Sequence, residues 1–124
     1  MSNFEIIDLR LTRLSEKLGA VLTKDRPACP EGLRTFEERR IDWMEHGIRK
    51  AIIIQPIFRR SGVDSSKWNV INIAWDDEVR STHKPKWRKL LVEEQPFETI
   101  ASSIEDLLSA SENNLRSISK DDLT

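Results

Sequence analysis

A chain of 124 residues is the length of one ordinary domain, and 20 Lys+Arg against 21 Asp+Glu leave it a net charge of −1. That balance argues against a dedicated polyanion binder, and 38% hydrophobic residues make wholesale disorder untenable. The one cysteine, Cys29, excludes an intrachain disulfide and suits a reducing compartment.

The first segment reads as an amphipathic helix. Phe4, Ile7, Leu11, Leu14 and Leu18 recur at spacings of three and four, which places them on one helical face. Asn3 is the expected N-cap and Gly19 the expected stop. Thr23 to Gly32 follows as a loop, because Pro27, Pro30 and Gly32 punctuate it.

From Leu33 the apolar period changes to that of strands. Four are expected: Arg34–Trp43, Ile48–Phe58, Trp68–Trp75 and Trp87–Glu94. Glu45-His46-Gly47 links the first two as a tight turn, and Ser61 to Ser66 and Asp76 to Lys86 serve as the later connections. Short links between successive strands imply an antiparallel meander. The second and third strands are apolar on both faces and suit the centre, while the charged first and fourth suit the edges, so the expected order is 1-2-3-4. A last helix spans Thr99–Arg116, with a stripe of Ile100, Ile104, Leu107, Leu108 and Leu115. Ser102-Ser103-Ile104-Glu105 matches a capping box that would start this helix later. The expected domain is therefore a single α+β unit over residues 1–116, with 117–124 a frayed polar tail.

The longest wholly apolar run, Ala51 to Ile54, is far short of a membrane span, which needs ~20 residues. The first residues lack a basic stretch followed by an apolar one, so a cytoplasmic location is expected. No Gly-rich phosphate loop or serine-nucleophile motif occurs, and the two histidines have no zinc-ligand spacing. These patterns indicate no cofactor, no metal and no catalytic residue. Charge is nevertheless uneven: residues 33–62 carry seven basic and four acidic side chains, and residues 96–124 two against six.

Three functional readings follow. Two helices packed on one sheet face would leave the other bare. That makes a non-catalytic protein-interaction module, with Trp68, Trp75 and Ile53 as anchors for another protein or a second copy, the leading expectation. A small-molecule or anion pocket near Trp43, His46, Arg39 and Arg40 is the second, and would suit an unorthodox enzyme. The third is nucleic-acid contact through Arg80 to Lys89, with Lys84, Lys86 and Arg88 on phosphate and Trp87 stacking a base. The acids Asp76-Asp77-Glu78 beside that segment oppose the third reading.

Overall fold

A computed structural model describes residues 4–26, 36–59, 62–76 and 86–123. Chain order is helix α1 (Glu5–Leu18), strands β1 (Val21–Arg26), β2 (Phe36–Glu45), β3 (Ile48–Arg59), β4 (Gly62–Asp76) and β5 (Trp87–Gln95). Helices α2 (Phe97–Ser102) and α3 (Ile104–Arg116) and a 3-10 turn (Lys120–Leu123) complete it. The expected α+β class, with an N-terminal helix, an antiparallel sheet and helical structure at the C-terminal end, is what forms.

Helix α1 buries Ile7, Leu11 and Leu14, as its spacing requires. It stops at Gly19, whose φ of 65° only glycine adopts freely; the Ala20 N–H donates to the Ser15 carbonyl at 2.8 Å to close the turn. Asn3 lies outside the described residues.

The sheet has five strands in the order β1-β2-β3-β4-β5, all antiparallel, rather than four. The additional strand, β1, occupies part of the expected loop. Its ladder pairs Leu22 with Ile41 and Thr23 with Arg40, and only Val21 and Leu22 are apolar, too few to betray a strand by alternation. The four expected strands keep their relative order, but the charged β2 is internal and only β5 of that set is an edge. β2 and β3 are joined within the expected Glu45-His46-Gly47 link by a two-residue turn, where His46 at φ 55° and Gly47 at φ 77° give the double left-handed geometry that matches strand twist. β4 is longer than expected. It starts at Gly62 and resumes pairing past an irregularity at Pro56/Ile57, where a proline is tolerated because the ladder is already broken.

The last helix is two helices. The chain bends at Ser103 (φ −113°, ψ 15°), which divides α2 from α3, although no side-chain capping bond forms there. The tail is not frayed over 117–123. Ile118 and Leu123 are buried in the main core, and Asp122 fixes the final turn by accepting the Ser119 N–H at 2.7 Å. The local sequence is polar, and those two apolar residues five apart fit neither helical nor strand periodicity.

All of these helical elements pack on one face of the sheet, giving two layers. The core between them joins Phe4, Ile7 and Leu11 to Ile41, Ile52, Ile54, Val70, Ile100, Ile104 and Leu115. Phe4, Trp68 and Phe97 form an edge-to-face aromatic trio with centroids 5.1–5.3 Å apart. Asn72, at the sheet centre, is buried and donates through Nδ2 to Ser111 Oγ of α3 at 2.8 Å.

Candidate functional site: the sheet face away from the helices

Strand alternation sorts every sheet residue onto one of two faces. On the face away from the helices, the ladders align Asp42, Ala51, Ile73 and Arg88 in one row across β2 to β5. The next row is Arg40, Ile53, Ile71 and Leu90. A third places Met44, Arg49 and Trp75 side by side. Ala51, Ile53, Ile71 and Ile73 thus form a second apolar cluster, with Trp75 and Leu90 packed against it, and no helical residue belongs to it.

This cluster is recessed. Ile53 and Ile73 are each 8% exposed, and Trp75 and Leu90 pack against them. The accessible apolar members are the half-buried Trp75 and Leu90, together with Met44 at 48% exposure and Val21, opposite Asp42, at 66%. Cations surround them. The guanidinium carbons of Arg40 and Arg49 each lie 5.9 Å from the Trp75 ring centroid, within cation–π range, and Arg88 is exposed. Arg40 is also held by Asp42 at 2.8 Å. The face therefore offers a tryptophan gripped by two arginines beside a shallow aliphatic centre.

The three expected anchors divide. Ile53 and Trp75 share this face, but Trp68 is buried on the other, in the aromatic trio beneath the helices. Trp68 and Trp75 are seven residues apart, an odd step in a strand, which sends them to opposite sides.

The expected pocket residues do not converge. Arg39 faces the helices and clasps Asp8 of α1 with two bonds of 2.7 and 3.0 Å, with the Phe4 ring 4.1 Å from its guanidinium carbon. Arg40, one residue on, faces the opposite way. His46 is exposed in the β2–β3 turn. Trp43 is buried opposite Lys50, and its Nε1 has no hydrogen-bond partner among the described residues. Lys50 is also buried and is neutralised by Glu45 at 2.5 Å. Arg39 and Arg40 are each held in a specific ion pair, and β1 pairs with the strand that carries them.

The basic segment is also divided. Lys84 lies outside the described residues. Lys86 is exposed and Trp87 half-buried against the main core, while Arg88 stands on the opposite face of β5. Cys29, too, lies outside the described residues.

Sequence reasoning missed a groove of about 360 Å³ between α1 and α3. Arg10, Arg13 and Lys17 line one wall, Glu105, Ser109 and Glu112 the other, and Leu14 and Leu108 are also part of it. Arg10–Glu105 at 2.7 Å and Lys17–Glu112 at 3.1 Å bridge it. Residues 95 positions apart meet here, so no local pattern signals it. Among the described residues no group of three His, Cys, Asp or Glu is placed to hold a metal ion, and no helix is long and apolar enough to cross a membrane. Comparison of the chain with known protein families, curated proteins and solved structures finds no match.

Proposed function

We propose that the protein is a non-catalytic interaction module that binds an acidic surface of another protein through the sheet face away from the helices. The observation that carries this reading is the one-sided placement of the described helices, none of which lies over Trp75, Leu90, Met44 and the buried isoleucine cluster between them. Tryptophan and arginine together are the side chains most enriched where binding energy concentrates. The rim sets the partner's charge. Arg40, Arg49 and Arg88 outnumber Asp42 and the buried Glu38 among its ionic groups, so carboxylates flanking an apolar side chain complement it. A second copy would face arginine with arginine, which makes self-association through this face unfavourable.

The test uses a photo-crosslinking residue at position 88, and a control chain carrying it at position 106 on the helical side. A partner crosslinked only from position 88 is purified, and its affinity is measured for the native chain and for Trp75→Ala and Arg88→Glu. Loss of at least ~tenfold in both variants, with unchanged thermal unfolding, supports the reading. Equal crosslinking from both positions, or affinity indifferent to both substitutions, overturns it. A second copy of the chain as the crosslinked species refutes the acidic heterologous partner.

A further inference from the structure

Helix α1 turns a second apolar feature to solvent. Ile6 is 68% and Leu9 59% exposed, although the helix buries Ile7, Leu11 and Leu14 against the core. At 100° per residue, Glu5, Ile6, Leu9, Arg13 and Glu16 fall within one outward arc, away from the buried stripe of Ile7, Leu11 and Leu14, with Arg13 at the edge that also borders the groove to α3. Glu5 and Arg13 are exposed and form no ion pair among the described residues, unlike Arg10 and Lys17, which reach across to α3. Single apolar residues on a surface are ordinary, but here two lie one turn apart on a helix face flanked by hydrated charges of opposite sign.

The spacing of this face is self-complementary. Leu9 is its midpoint, Glu5 lies four residues before it and Arg13 four residues after. A two-fold axis through Leu9, set between two antiparallel copies of α1, brings Glu5 of each copy opposite Arg13 of the other and Leu9 against Leu9. An isologous contact of this kind satisfies both charges twice and covers Ile6 on both copies. We propose that the protein self-associates as a two-fold dimer through the outward face of α1, with Leu9 at the axis and reciprocal Glu5–Arg13 pairs on either side. An unrelated partner would have to reproduce this spacing, whereas a second copy carries it already. The helix is only about 21 Å long, so the contact belongs with small, reversible interfaces.

Sedimentation equilibrium of the full chain tests this from about 10 µM to about 1 mM, the range over which a weak association is populated. Wild type is expected to rise toward twice the monomer mass. Leu9→Arg is expected to remain monomeric, with unchanged circular dichroism because the position is exposed. Glu5→Arg and Arg13→Glu are each expected to weaken association at least ~tenfold, since each homodimer then opposes like charges. Mixed in equal amounts, those two variants are expected to associate again, because every pair across the axis becomes oppositely charged. Monomeric wild type throughout the range, association indifferent to Leu9→Arg, or failure of the mixture to reassociate each overturns the proposal.

Discussion

The ion pair between Asp8 of α1 and Arg39 of β2 makes a measurable claim about how this fold tolerates a charged internal strand. The Arg39 side chain is 4% exposed and that of Asp8 17%. Arg39 Nε and Nη2 bond both Asp8 oxygens, and Nη1 donates to the Lys24 and Glu38 carbonyls at 3.1 Å each. Removing one partner of a buried pair leaves the other charge without compensation, at a cost of about 3–5 kcal/mol. Asp8→Ala strands the deeper charge, so about 3 kcal/mol is expected once water reaches the guanidinium through the space left. Arg39→Met strands the shallower carboxylate, which rehydrates, and about 1–2 kcal/mol is expected. The double variant Asp8→Ala/Arg39→Met leaves no buried charge and should be more stable than Asp8→Ala alone by at least ~1 kcal/mol, because an apolar replacement of a buried pair is often neutral. Urea unfolding of the four proteins, fitted with a common slope, gives all three differences. A loss below about 1 kcal/mol for Asp8→Ala, or purely additive effects in the double variant, would refute the view that α1 is anchored to β2 by this pair.

Three further outcomes are expected. Deleting residues 117–124 removes Ile118 and Leu123 from the core and should cost about 3–5 kcal/mol in urea unfolding, whereas a frayed tail would cost nothing. Ser111→Ala leaves the buried Asn72 amide without its acceptor and should cost about 1–3 kcal/mol, and Asn72→Ala in the same background should add less than it does alone. The Asp64 carboxyl is held below its ordinary value of 3.8 by the Ser66 hydroxyl, then by the Ser66 backbone N–H and by Arg59. Its ionised form thus favours the folded state above the unfolded pKa, and that contribution is lost as pH falls through the folded one. NMR titration of Ser66→Ala should show the midpoint rising, and an unmoved midpoint would remove the serine as the cause.

Much of the scaffold is legible locally. The β-branched run Ile52 to Ile54, the His46-Gly47 turn and the Gly19 stop each carry their own backbone preference, and each forms where it is expected. β1 is not legible, because an edge strand needs only one ladder and β1 has few apolar residues to mark it. Its presence turns β2 from an edge into an internal strand, which is why the buried Arg39 and Glu38 looked like solvent-facing charges. The candidate site was half legible. Alternation alone separates Trp68 from Trp75, and it joins Trp75 to Ile53 only through the strand register. That every helix would choose the side of Trp68 depends on long-range pairs such as Asp8–Arg39 and Asn72–Ser111, which no short-range spacing encodes.

The two proposed surfaces have a joint consequence. α1 lies in the helical layer and turns Leu9 outward, while Trp75 and Leu90 stand on the far side of the sheet. Pairing two copies through α1 therefore leaves both sheet faces free, and the dimer is bivalent. A second binding event on the same array is then intramolecular, and such linkage commonly raises apparent affinity by ~10²–10⁴ without any new contact. The acidic partner, fixed densely on a sensor surface, should release wild type far more slowly than Leu9→Arg. In dilute solution, with both chains monomeric, the two should bind with the same affinity, because Leu9 is remote from the sheet face. Slow release that survives Leu9→Arg would show that dimerisation and binding are uncoupled. A weaker one-to-one affinity in that variant would instead place α1 within the binding surface itself.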